Sequence, residues 1–386
     1  MSFGPLAEDA PGRLVSYADR PYYLPDELPP VGDLEFDPEF QNTLQRTMHQ
    51  LGILDGISRE RDASPVLYTS LIRREAVESV LVEGADVSLE DLFRPKEQAL
   101  NAGIPRKDYR EAANYERAIR EWADEVADGE TISAALLKRL HETLLDGVRD
   151  QADYMGSYRQ HPAFVPPPIR DAAPFVAPAP EEVPALMENL LRFINEPNTY
   201  HDLVELGLVH YQFETVHPFG DGNGRLGRLL ITLQLIDQGH LTRPFIYPSA
   251  YLNEHKQEYV ERMRAVSTDG EWEAWLAFFV EGIRQQAEAA VERAEALGGL
   301  RREYEQRFGN EKTATDRLAM RLFRDPHVTT TEVEEMLDVS YQTARNAIAD
   351  LVSEGVLQET TGKERYQEYK AVDIFEVLNR PVGERR

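Results

Sequence analysis

From Pro38 to about Phe93 apolar residues recur three and four apart, the spacing of helices, and Gly52 and Gly56 are expected to punctuate turns between them. Further helical runs are predicted at about 108–127, 131–149, 181–195, 199–216, 223–239, 251–266 and 271–309, the last broken at Gly298–Gly299. Two stretches leave this rhythm. Residues 20–35 are proline-rich and extended, and read as an arm rather than a core element. Between Asp150 and Glu182, the run YRQHPAFVPPPIRDAAPFVAPAP mixes β-branched and aromatic residues with prolines, the composition of a short hairpin or edge strand at the surface. The main body is therefore mainly α.

Residues 312–386 read as a separate unit. The run TTTEVEEMLDVSYQTARNAIADLVSEGVLQETTGKERYQEYKAV gives helix, turn, helix and a hairpin turning at Gly362, the order of a winged helix-turn-helix. Its 11 basic and 14 acidic residues give −3, so the remainder carries −23 of the chain's −26. Arg345, Lys363 and Arg365 are placed to reach phosphate, but five glutamates surround them (Glu334, Glu335, Glu354, Glu359 and Glu364). DNA contact and a protein–protein or dimerisation role both stay open for this unit.

Charge narrows the picture elsewhere. An excess of 68 acidic over 42 basic residues disfavours non-specific binding to nucleic acid or an anionic membrane. Only 7 of those basic residues are lysine, and the whole fits a cytoplasm of high salt, where self-repulsion is screened. No apolar run is long enough to cross a membrane, and the acidic N-terminus lacks an export signal's apolar core, so a cytoplasmic protein is expected. Without cysteine there is neither a disulfide framework nor a thiolate metal site. The 386 residues leave room for two or three domains.

The densest chemistry lies in HYQFETVHPFGDGNGRLGRLL, residues 210–230. Gly222, Asn223 and Gly224 tolerate positive φ and predict a tight turn whose amides line an anion hole, reinforced by the N-terminus of the helix that follows. Arg225 and Arg228 share a helix face and suit phosphate oxygens. Asp221 is a hard oxygen ligand for Mg²⁺, and His217 is a nearly neutral base for an incoming hydroxyl. Together these predict phosphoryl or nucleotidyl transfer without a covalent nucleophile. The GNGRLG run also satisfies the dinucleotide fingerprint, but a helix rather than a strand precedes it. His210 reads as a core or second-layer histidine.

The run His217-Pro-Phe-Gly-Asp221-Gly222-Asn223-Gly224-Arg225-Leu-Gly-Arg228 resembles the Fic family signature at every defining position. HYQFETV, FIYPSAYLNEHKQEY and DGEWEAWLAFFVEGI are similar to the same family, so the resemblance covers roughly residues 20–300. It implies a Fic-type helical bundle with a hairpin flap at about 158–180. The implied activity is transfer of AMP from ATP, with Mg²⁺ (or Mn²⁺), to a Tyr, Thr or Ser hydroxyl of a target protein. His217 would be the base, Asp221 the metal ligand, Gly222, Asn223 and Gly224 the phosphate cradle, Arg225 its partner and Arg228 the γ-phosphate holder. Tyr251 and Glu254 fall on the adenine side, where relatives often carry an amide near Glu254. In EAVESVLVEGADVSLEDL, Ser79, Glu83 and Gly84 resemble the family's inhibitory pattern, with Val80 and Val82 where a second hydroxyl residue and an isoleucine often stand.

The resemblance thus divides the chain into residues 1–95 with an inhibitory helix at about 70–84, a catalytic core at 96–300 with its motif at 217–228, and the winged unit at 312–386. The target would dock on the flap, and self-modification and a homodimer are both allowed. The alternatives are removal of AMP using Glu83, a nucleotide-sensing transcriptional regulator acting through the C-terminal unit, and a kinase-like transfer.

Overall fold

A computed structural model of the chain describes residues 6–17, 20–59, 65–94, 96–101, 103–148, 154–165 and 175–380. It is mainly helical, with three small sheets among the described residues. An antiparallel hairpin of β1 (Gly12–Tyr17) and β2 (Arg20–Pro25) leads into α1 (Pro38–Arg59), α2 (Pro65–Val82), α3 (Leu89–Phe93), α4 (Lys96–Asn101), α5 (Arg106–Ala127) and α6 (Ala134–Leu145). Two short strands, β3 (Phe164–Val165) and β4 (Phe175–Val176), pair antiparallel, and residues 166–174, in the expected flap, lie outside the described residues. Then come α7 (Val183–Asn195), α8 (Asp202–Val216), α9 (Asn223–Asp237), α10 (Ser249–Glu254), α11 (Lys256–Asp269) and α12 (Trp272–Phe308).

The burial of α8 and α9 explains where the site sits. Helices α1, α5 and α7 bury one stripe and expose the rest, whereas α8 and α9 are buried nearly all round. A helix apolar on every side belongs at the centre of a bundle. Helix α12 packs against α1 and α8, α5 against α2 and α9, and α2 also against α10. The loop joining α8 to α9 therefore opens from the middle of the bundle, with α2 and α5 beside it.

Three sequence expectations are corrected here. Helix α1 runs unbroken through Gly52 and Gly56, and α12 through Gly298 and Gly299. A glycine costs a helix only about 1 kcal/mol, and packing along both helices exceeds that. Residues 20–35 are not a detached arm: Tyr22, Tyr23, Leu24 and Leu28 are buried, and Asn189 of α7 accepts from Leu28 N (2.9 Å) and donates to Leu28 O (2.9 Å). Expected helix 251–266 is two, interrupted at His255.

The C-terminal residues form α13 (Ala314–Arg321), β5 (His327–Thr329), α14 (Thr330–Leu337), α15 (Tyr341–Ser353), β6 (Leu357–Glu359), β7 (Glu368–Ala371) and α16 (Val372–Asn379). The sheet order is β5-β7-β6, all antiparallel. Side chains of Thr313, Thr329 and Ser340 cap the helices that follow them. The unit rests on the bundle through Phe93 against Phe375 (5.5 Å between ring centres), Arg94–Glu368 (3.3 Å) and Lys370–Glu90 (3.1 Å). No described helix is long and apolar enough to cross a membrane.

Candidate active site

The motif loop is built by its own side chains. Gly222 caps the start of α9 at φ +76°, a left-handed backbone that glycine adopts without steric cost. Asn223, buried, spends its amide on the loop: Oδ1 accepts from Phe219 N (2.8 Å) and Nδ2 donates to Phe219 O (2.8 Å). Asn223 thereby shapes the turn, and only its backbone remains for a ligand. Asp221 does not cap α9 directly; its Oδ1 accepts from Gly222 N (2.8 Å) and lies 3.5 Å from Arg225 Nη2. Beneath the loop, His141 stacks on Phe219 (4.0 Å) and bridges Asp221 O (2.9 Å) and Gly156 N (3.0 Å). Since Nδ1 accepts from an amide there, Nε2 carries the proton.

His217 ends α8 at φ 50°, ψ 60°. The left-handed region costs a residue with a Cβ about 1–2 kcal/mol, so something must hold it. Arg159 does: its Nε donates to His217 O (2.7 Å), its Nη2 to Val216 O (3.2 Å) and Pro178 O (2.6 Å), and its backbone N to Pro218 O (2.9 Å). This buried guanidinium, bonded to carbonyls at both the loop and the flap base, ties the two together. His217 Nδ1 lies 3.2 Å from Glu214 O. A carbonyl only accepts, so Nδ1 bears the proton and Nε2 is left with its lone pair. Burial, with Arg159 adding to it, pushes the half-buried imidazole down to about 4, so it is neutral at ordinary pH.

Both motif arginines are buried and paired with protein carboxylates. Arg225 meets Glu111 of α5 at 3.0 Å as well as Asp221. Arg228 donates to Ser79 Oγ (2.9 Å), Ser79 O (2.9 Å) and Glu83 Oε1 (2.7 Å). Ser79 stands on α2, and Glu83 lies just past its C-terminus rather than within it. Lys256 Nζ caps that end by donating to Val82 O (2.5 Å). Desolvation alone would raise the Glu83 carboxyl, but Arg228, and behind it Arg225 and Lys256, hold it below the usual range. The carboxylate lies against the start of α9: a Cβ on Gly224 would come within 2.4 Å of Glu83 Oε1. An anionic side chain thus occupies the place where backbone amides and the helix dipole favour an anion.

The remaining expected residues are less tightly gathered. Tyr251 is buried, stacked on His255 (4.2 Å) and tilted against Phe278 (5.0 Å), while Glu254 is exposed. His210 is buried and bonded to Tyr259 OH (2.9 Å). Among the described residues, no three His, Asp or Glu side chains come together as a metal cluster.

Several residues around the motif carried no sequence signal. Arg159 and His141 sit in unrelated segments, and only folding brings them under the loop. Glu75, one turn before Ser79 on α2, is fully buried and accepts from Tyr115 OH (2.8 Å), Ser249 N (3.0 Å) and Ser249 Oγ (2.5 Å), fastening α2 to α5 and α10. Glu214 Oε1 has no hydrogen-bond partner among the described residues. Burial pushes the Glu75 and Glu214 carboxyls each up to about 7, against the pull of Arg228.

Glu214 gives a testable pH dependence. A carboxyl whose folded pKa exceeds its unfolded value favours the fold at low pH, and that support is lost as pH rises from about 4.5 through about 7. Relative to Glu214→Gln, the wild-type chain should therefore lose about 2 kcal/mol between pH 5 and pH 8. Urea unfolding of both proteins at the two pH values measures it; a gap that does not move with pH would mean that Glu214 carries no such strain.

Residues 131–235 match the Fic/DOC family and residues 41–122 the Fic/DOC family N-terminal region. The chain is 28% identical to a probable protein adenylyltransferase of Aquifex aeolicus over 190 residues, 47% of this chain and 53% of that protein. It is 24% identical to the protein adenylyltransferase Fic of Drosophila mojavensis over 160 residues, 39% of this chain and 29% of that one. The chain thus spans about half the length of the first of these relatives and less of the second. In fold it is similar to a Fic family protein from Desulfovibrio desulfuricans G20, with a TM-score of 0.57 at 20% identity over 92% of this chain and 98% of the other.

Proposed function

We propose that this chain, which carries a Fic/DOC family domain behind the family's N-terminal region, is a protein adenylyltransferase restrained by its own Glu83. The observation that carries the reading is the meeting of His217, Asp221, the Gly222–Gly224 turn and Arg228 around the start of α9, with the Glu83 carboxylate against Gly224. In this reading the phosphates of ATP lie over the turn, and Arg228 takes the γ-phosphate when Glu83 withdraws. Arg225 then supports the phosphate chain. Tyr251 and Glu254 lie on the adenine side, and we read the C-terminal unit as a winged helix-turn-helix on its element order.

The reaction follows from the tautomer of His217. Its free Nε2 takes the proton of a target Tyr, Thr or Ser hydroxyl. The hydroxyl oxygen bonds to the α-phosphorus while the α–β bridging bond breaks, and pyrophosphate leaves against Arg225 and Arg228. Mg²⁺ or Mn²⁺ fits here because such ions bind through one or two carboxylates with phosphates and water completing the shell, and Asp221 is the residue that would hold it. When bound, the ion supplies neutralising charge to the phosphates. Strand addition along β3–β4 would register the target's backbone without demanding one sequence.

Intact-mass spectrometry of the Glu83→Gly chain after incubation with ATP and Mg²⁺ tests the transferred group. One added adenylyl unit, on the chain itself or on a supplied target, is the expected product. Addition of phosphate alone would move the reaction to the kinase class.

A further inference from the structure

A second concentration of positive charge lies away from the motif, in a cleft of about 1090 Å³ between the bundle and the C-terminal unit. Its walls carry 7 arginines and lysines against 4 acidic residues, in a chain whose net charge is −26. Arg94 is paired with Glu90 (2.8 Å), Asp91 (2.9 Å) and Glu368 (3.3 Å) and Arg321 with Asp325 (3.2 Å), so the uncompensated charge rests on the remaining cations. Arg73 and Arg120 share the single carboxylate of Glu116, each at 3.0 Å. Arg120 and Arg243 both face the ring of Tyr68, at 5.1 and 5.9 Å. Among the described residues, Lys96, Arg243 and Arg324 make no ion pair. Cations without carboxylate partners that face one cleft attract an anion into it.

A separate observation, among the lining residues of the C-terminal unit, also points to a ligand. His327 opens β5 with its side chain fully buried, yet neither ring nitrogen has a hydrogen-bond partner among the described residues. The nearest acid, Glu368, stands 3.5 Å away and is itself engaged by Arg94 at 3.3 Å. Burial, with Arg94 and Lys370 adding to it, holds this imidazole neutral, so it offers one donor and one acceptor. Buried polar groups without partners are uncommon and call for an explanation.

We infer that this cleft is a binding site for a small, multiply charged phosphate ligand, held by Arg120, Arg243, Arg324 and Lys96. Guanidinium groups grip phosphate bidentately, and several together suit a chain of phosphates rather than a single charge. Tyr68, with Phe245 at 5.7 Å, adds an aromatic face beside the cations. The wall formed by Tyr68, Thr69 and Arg73 belongs to α2, the helix that presents Ser79 to Arg228. The assignment goes beyond the transfer reaction and does not depend on it.

Calorimetric titration of the full chain with inorganic tripolyphosphate at low salt tests the site. The Arg228→Ala protein is used so that the motif loop contributes less. Binding is expected there, weakened tenfold or more when Arg243→Glu and Arg324→Glu are added. Both residues are exposed, so circular dichroism should show the fold retained; Arg243→Gln with Arg324→Gln serves if it is not. No binding to the Arg228→Ala protein, or equal affinity with and without the cleft substitutions, would overturn the site. ATP titrated in parallel separates the ligand's source: tighter binding that Tyr68→Ala removes marks a nucleotide, and affinity equal to tripolyphosphate marks the phosphate chain alone.

Discussion

His217→Ala should lower AMP transfer by roughly 100- to 10,000-fold, the range that a positioned general base contributes. The loss should fall on kcat, because the imidazole acts on the hydroxyl and not on the phosphates. Release of labelled pyrophosphate or incorporation of α-labelled AMP measures it, in the Glu83→Gly background where the basal rate is high. Since burial keeps His217 neutral down to about pH 4, protonation of this residue should inhibit only well below neutrality. Bound phosphates would move that limb upward. A variant that labels its target at the wild-type rate would remove His217 from the chemistry.

Glu83→Gly should raise self-modification about tenfold or more. The hydrogen bond from Arg228 to Glu83 joins two charges at 2.7 Å, and such bonds contribute roughly 1.5–3 kcal/mol, each 1.4 kcal/mol being a factor of ten. The lower end applies because the Glu83 side chain remains 46% exposed whereas that of Arg228 is 1% exposed. Glu83→Gln, which keeps the size and loses the charge, should fall between the two. Unchanged or reduced labelling in Glu83→Gly would reject the restraint. Loss of AMP release from a modified target in the same variant would favour the hydrolytic alternative.

The parts of the site that were legible in the sequence are those written in one continuous stretch. Local chemistry fixes the Gly222 turn, the helix after it and the spacing of Arg225 and Arg228, so twelve residues predict their own geometry. Arg159 and Glu111 were invisible for the opposite reason. Each acts across the bundle on a residue far away in the chain, and a lone arginine or glutamate gives no sign of which backbone it will meet. The misreadings of fold have a similar origin. Gly52, Gly56, Gly298 and Gly299 weaken helices locally, but tertiary burial of the neighbouring side chains decides. Tyr22 and Tyr23 were hidden among prolines that signal extension, and extension turned out to mean a strand rather than exposure.

Gly224 binds two fates together. With no side chain, it leaves room on the backbone that the Glu83 carboxylate takes, and under the proposed function a phosphate oxygen would need that same room. Under the proposed function, a larger residue there would press on the Glu83 carboxylate and on the phosphate seat alike, so it would not be a clean route to release. On that reading, release comes from the far side of the contact, through Ser79, Glu83 or whatever steadies the end of α2.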